Sequence, residues 1–167
     1  MIVTIWRHGE AGNAISDRLR ELTGNGADDV AFGCHQFHDA CAVRDIPNPG
    51  LILHSGWVRT TQTAEIIASA FTHADRRPLT ALQPGGTVAL ADTALSTLID
   101  AHETPEHVVL VSHQPLVSYL VDHYLEDQGR VPSLSPGGLV TLGLEVPARA
   151  CGQLLFWALP TEYEAGI

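Results

Sequence analysis

Two short segments place cationic and nucleophilic side chains where a strand would end. Arg7, His8 and Gly9 directly follow the apolar, β-branched run Ile2 to Trp6. Ser112, His113, Gln114 and Pro115 directly follow the apolar run Val108 to Val111. Arg59 stands early in a helical window that follows a third such run, Leu51 to His54. Guanidinium groups match the geometry of oxyanions, phosphate above all. An imidazole is a nucleophile only when unprotonated, and with a free pKa of about 6.5 its surroundings decide. Gly9 allows a sharp turn or the close approach of a ligand. Pro115 suits the first helical position, and the amides beyond it would form a helix N-terminus, which attracts anions. Each residue alone also has a structural reading: Arg7 could cap the sheet by pairing with Glu10 or Asp92, and His113 could cap a helix. Their joint placement at three strand ends favours one oxyanion crevice.

The elements that must hold these residues alternate. Ile2 to Trp6 reads as a buried strand, followed by a polar, Gly-rich loop over 11–26. Val30, Cys34, Phe37 and Cys41 share one helical face. After the Pro47–Gly50 turn come a strand at Leu51 to His54 and a helix over Trp57 to Phe71, with Ile66, Ile67, Ala70 and Phe71 inward. Leu79 to Leu82 reads as a weak third strand, ended by Pro84-Gly85-Gly86. Val88, Ala91, Leu95, Leu98 and Ile99 mark a helix, Val108 to Val111 a strand, and Leu116 to Leu125 the clearest helical stripe. Leu139 to Val146 and Gln153 to Leu159 read as a closing hairpin joined through Ala148 to Gly152. This order predicts an α/β fold of three layers: a mostly parallel central sheet, helices on both faces, and an antiparallel edge. Ligands of such sheets sit outside the carboxyl ends of the strands, where Arg7, Ser55 to Arg59, Gln83 to Gly86 and His113 fall.

A chain of 167 residues with 45% hydrophobic content fits a single domain over 1–167. Net charge is −10, and all nine basic residues are Arg. That balance argues against nucleic acid and anionic membranes as partners. No apolar run approaches a membrane span, and the N-terminal segment lacks the basic region of a signal peptide. Three Cys, an odd number, suit a reducing, cytoplasmic setting. Cys34, His38 and Cys41 have metal-like spacing, but both Cys lie on an apolar stripe and read as core, so no metal is expected. His35, His73, His102, His107 and His123 read as surface residues, His54 as a possible pocket residue, and Arg76-Arg77 as a solvated loop. Arg20 either joins the crevice rim or pairs with Asp17.

Arg7-His8-Gly9-Glu10-Ala11 resembles the RHG signature of the histidine phosphatase superfamily, the phosphoglycerate-mutase-like fold. Asp17 to Gly26 resembles the D-x-x-R-P-L-T-x-x-G loop of the small SixA-type phosphohistidine phosphatases. Ser55 to Thr63 resembles their S-P-x-x-R-x-x-Q-T stretch, Leu82 to Gly86 their L-x-P-x-G turn, and Val111 to Val117 their V-S-H-x-P-L-V. Glu21 and Gly56 stand where that pattern has Pro. The resemblance implies that His8 is the nucleophile of a transient phosphohistidine. It implies that Arg7, Arg59 and His113 hold the phosphoryl oxygens. Gly9, Ser55, Arg20 and Gln114, near the same strand ends, are the further candidate substrate contacts. No cofactor is implied.

Phosphomonoesterases of the wider superfamily place a Glu or Asp after the third strand, to protonate a leaving alkoxide. Ala81 to Thr87 holds no carboxylate. Losing such an acid costs about 10² to 10⁴ in rate, whereas an imidazole leaves a P–N bond with far less help. This favours a phosphohistidine protein as substrate, in particular a histidine phosphotransfer domain. A small-molecule phosphomonoesterase would need Glu10, Asp17 or Asp92 as the acid. A non-catalytic phosphate-binding module would bind without turnover.

Overall fold

The apolar run at the N-terminus lies in the middle of the sheet. In the computed structural model, which describes residues 1–167, β1 is Ile2–Arg7. It pairs in parallel with β4 (His107–Ser112) and antiparallel with β5 (Leu139–Leu144). Beyond β4 lie β2 (Leu51–His54) and the edge strand β3 (Asp75–Pro78), both parallel to it. Beyond β5 lies β6 (Gly152–Ala158), antiparallel to β5, giving the order β3-β2-β4-β1-β5-β6. The expected mostly parallel sheet with an antiparallel side is what forms.

Alternate residues of the central strands feed two cores, because successive side chains point to opposite faces. Val3, Ile5, Leu51, Leu53, Val108 and Leu110 join the core under helices α3 (Val88–Asp100) and α4 (Leu116–Leu125). Trp6, Ile52, Val109 and Val111 join the core under α1 (Gly24–Val43) and α2 (Val58–Ala70). Burial of each such side chain contributes about 1.5–3 kcal/mol. Trp6 meets Phe37 of α1 edge to face at 5.4 Å. Cys34 and Cys41 lie in that same core, while His38 stays outside and contacts Asp39.

Five readings of the sequence need correction. The third strand is Asp75–Pro78, and Thr80–Leu82 is a 3₁₀ turn. The apolar Leu79–Leu82 misled because an edge strand needs no apolar run: β3 is mostly exposed, and it holds the Arg76-Arg77 pair assigned to a loop. The segment 11–26 contains a 3₁₀ turn at Asp17–Leu19 and the first turn of α1, capped by Thr23, whose Oγ1 accepts from Gly26 N. In α2 the inward face is Thr60, Thr63, Ala64 and Ile67, with Ile66 half-buried and Ala70 exposed. His107 is fully buried rather than on the surface. No helix is long and apolar enough to cross a membrane.

β3 ends in Pro78, which has no N–H to offer a neighbour, while on β6 the backbone of Trp157 exchanges two hydrogen bonds with Gly166.

Candidate active site

The carboxyl ends of β1, β2 and β4 meet at a cleft of about 310 Å³ whose walls include Arg7, His8, Arg59 and His113. Glu10, Asp17, Arg20, Pro84 and Gln114 complete much of the rim. The residues singled out at three strand ends are therefore neighbours in space.

His8 is 8% exposed and held at both ends of its ring. Its Nδ1 lies 2.7 Å from Gly9 O, and a carbonyl can only accept, so Nδ1 carries the proton. Nε2 is then bare, and it accepts from Arg59 Nε at 3.2 Å. Burial, followed by the charges of Arg59, Arg7 and Arg20, pulls the ring pKa down to about 4 against the hydrogen bond to Gly9. The ring is thus a neutral base with its lone pair turned toward a guanidinium. The backbone behind it is fixed by Gly137 N, which donates to His8 O at 2.8 Å. Tyr163 in turn donates to Gly137 O at 3.0 Å.

Arg59 enters from the first turn of α2. Its Nη1 donates to Asp17 O at 2.7 Å, Nη2 lies 3.4 Å from Asp17 Oδ2, and its guanidinium carbon sits 5.1 Å from the Trp57 ring centroid. Arg7 donates from Nη1 to Leu134 O, while its Nε is buried without a partner. No ion pair of the molecule involves Arg7. A half-buried guanidinium with no counter-charge is costly unless an anion arrives. It does not pair with Glu10 or Asp92, so the sheet-capping reading falls.

His113 is 3% exposed, and its Nε2 lies 2.7 Å from Ser55 Oγ. Ser55 sits beneath His113 rather than in the cleft wall. Gly9 also stays out of the wall. A Cβ there would come within 3.0 Å of Gly26 O and of Val30 Cγ2, so its smallness serves contact with α1. Arg20 does both things foreseen: it lines the rim, and it pairs with Asp17 at 3.0 Å. Gln114 lines the rim and donates from Nε2 to Leu134 O at 3.2 Å. Pro115 is the N-cap of α4, and the amides that follow it are not part of the wall. Gly56 adopts φ +82°, a backbone closed to the Pro of the related pattern. His54 is buried and outside the wall, with its Nδ1 accepting from Gly56 N at 3.2 Å.

Of the three carboxylates weighed as acids, Asp92 is elsewhere, bound to His123 and Tyr124 between α3 and α4. Asp17 lines the cleft, but the hydrogen bond from Arg20 and the charge of Arg59 hold its carboxyl below the usual range. Glu10 lines the cleft and accepts from Thr23 Oγ1 at 2.7 Å. The turn after β3 brings Pro84 to the wall and no acid. The sequence reading missed Trp57, which touches both Arg59 and His113, and Thr63, whose Oγ1 accepts from Gly9 N at 3.1 Å. Both follow Ser55 in the segment already singled out, and helical spacing puts Thr63 one turn beyond Arg59.

No family model matches the chain. It is 32% identical over 123 residues to the phosphohistidine phosphatase SixA of Escherichia coli (strain K12), covering 72% of each protein. The solved structure of the protein histidine phosphatase SixA complexed with tungstate superposes with a TM-score of 0.75 at 25% identity, covering 96% of this chain and 97% of that one. A SixA-named structure from Agrobacterium tumefaciens gives a TM-score of 0.71 at 24% identity, covering 96% and 98%, and bears on the fold alone. At that identity over that share of both proteins, the chain belongs to the SixA phosphohistidine phosphatases of the histidine phosphatase superfamily.

Proposed function

We propose that the chain hydrolyses phosphohistidine on a protein, with a histidine phosphotransfer domain as the partner and His8 as the nucleophile. The observation that carries this is the state of His8: buried, neutral, with Nε2 bare beside two guanidinium groups. The bare lone pair attacks phosphorus. The P–N bond to the substrate imidazole breaks, and its electron pair stays on the departing nitrogen. That ring leaves neutral when its other nitrogen has taken a proton from solvent. Arg59 passes its hydrogen bond from Nε2 to a phosphoryl oxygen, and Arg7 and His113 take the others. Water then attacks phosphorus on His8, loses its proton to solvent, and returns Nε2 to its bare state as phosphate leaves. No step of this sequence uses a metal. Gly9, Ser55, Arg20 and Gln114 support these groups or the rim. Cytoplasmic residence fits the composition.

The absence of a carboxylate after β3 separates this reading from an ester-cleaving one; Glu10, which does line the cleft, is the group that would restore the latter. Phosphate release in EDTA, compared between a phosphohistidine protein, para-nitrophenyl phosphate and a sugar phosphate, decides. Release from phosphohistidine alone is expected. Efficient release from the esters would give the function to the phosphomonoesterase reading, and binding without any release would leave a phosphate-binding module.

A further inference from the structure

The proton on His113 is placed by its neighbours. Thr60 Oγ1 donates to Trp57 O at 2.9 Å, because a carbonyl can only accept. Having spent its one proton, Thr60 accepts from Ser55 Oγ at 2.6 Å. Ser55 has then spent its own proton as well, so it accepts from His113 Nε2 at 2.7 Å. His113 is therefore the Nε2–H tautomer, and its Nδ1 is a lone pair, buried with no hydrogen-bond partner. A lone pair repels a phosphoryl oxygen; only an N–H could bind one.

We infer that His113, fixed by Ser55 and Thr60 with its proton on Nε2, takes up one further proton on Nδ1 when a dianionic phosphoryl group enters the cleft. The groups facing the ring are His8 after β1 at 5.2 Å between centroids, Trp57 at 5.5 Å, Arg7 on β1, Arg59 on α2 and Asp17. Burial first, then the charges of Arg59 and Arg7, keep the ring uncharged at rest, with its pKa lowered to about 3. Two negative charges beside Arg7 and Arg59 reverse the sign of that field and favour the imidazolium. Bulk solvent supplies the proton, the Nδ1 lone pair forms the new N–H bond, and the same proton returns to solvent when phosphate departs. Ser55 and Thr60 are positioning residues in this account; His113 is the group that touches the oxyanion.

The inference rests on the phosphoryl-binding reading of the cleft, but its test uses no turnover. Tungstate, a tetrahedral dianion that does not itself titrate near neutrality, is the probe. Calorimetry at about pH 7.5 in buffers of different ionisation enthalpy reads the protons taken up per tungstate bound. About one proton is expected for the wild-type chain and for His8→Ala, with affinity falling about tenfold per pH unit. His113→Asn should take up none. Binding without uptake in the wild type overturns the inference, as does uptake lost in His8→Ala but kept in His113→Asn. Nitrogen-15 spectra of the wild-type imidazoles give the same answer without relying on a variant's fold. They should show His113 as Nε2–H alone, then doubly protonated with tungstate, and Ser55→Ala should erase the resting preference for Nε2–H.

Discussion

Two buried histidines of similar burial sit at opposite ends of β4, each at the end of a chain of hydroxyl groups. At the amino end, Thr141 donates to Thr4, Thr4 donates to His107 Nε2, and His107 Nδ1 donates to Pro47 O. Every donor and acceptor of that ring is used. At the carboxyl end, the relay runs from His113 through Ser55 and Thr60 to Trp57 O, and one ring nitrogen is left over. Burial depresses both pKa values, to about 4 and about 3. A low histidine pKa therefore does not mark a site here; the unused nitrogen beside Arg59 and the counter-charge-free guanidinium of Arg7 does.

Several variants probe the difference between the sealed end and the open one. The largest effect belongs to His8→Ala, which should cut phosphohistidine turnover about 10⁴-fold or more while tungstate still binds. Phosphate release that survives would remove His8 from the nucleophile role. Arg7→Met should lower turnover about 10²-fold without lowering the thermal midpoint, since it deletes a guanidinium with no counter-charge. A fall in both would show that Arg7 also holds the fold. His107→Ala should do the reverse: it strands Thr4 and Pro47 O and opens a cavity, costing about 3 kcal/mol in urea unfolding with kcat/KM little changed.

Acid should act through the same rings. Histidines held at about 4 and about 3 when folded return to about 6.5 when unfolded, so the unfolded chain binds more protons below that value. Stability is then full above about pH 6.5 and declines as pH falls toward 4. Urea midpoints across that range should fall less steeply for His107→Ala; identical slopes would mean that His107 is not neutral in the fold. The smallest effect is Glu10→Gln, expected to change phosphohistidine turnover less than about threefold. A loss of about 10²-fold would make Glu10 a general acid.

The sequence made the central sheet legible because β1, β2 and β4 are short, apolar and buried on both faces. It made the cleft legible because Arg7 ends β1 and His8 and His113 follow β1 and β4 without an intervening residue. β3 was hidden because an edge strand exposes its side chains, and Asp75-Arg76-Arg77 carries no apolar signal. His107 was misplaced because its polar neighbours in sequence are not its neighbours in space. Ser55 was named for the substrate, but its partner is His113, 58 residues away, a contact no local pattern carries. Trp57 read as the start of a helix, and only folding shows it against both Arg59 and His113.

The two borders of the sheet bear on how copies of this chain meet one another. Cross-β growth needs a flat border with free backbone groups to which another strand can add. On one side, Arg76 and Arg77 are held in ion pairs with Glu65 and Glu103, and Pro78 withholds a donor. On the other, Gly166 already holds the backbone of Trp157. Addition of a further strand is thus hindered at Pro78 on one border and at Trp157 on the other.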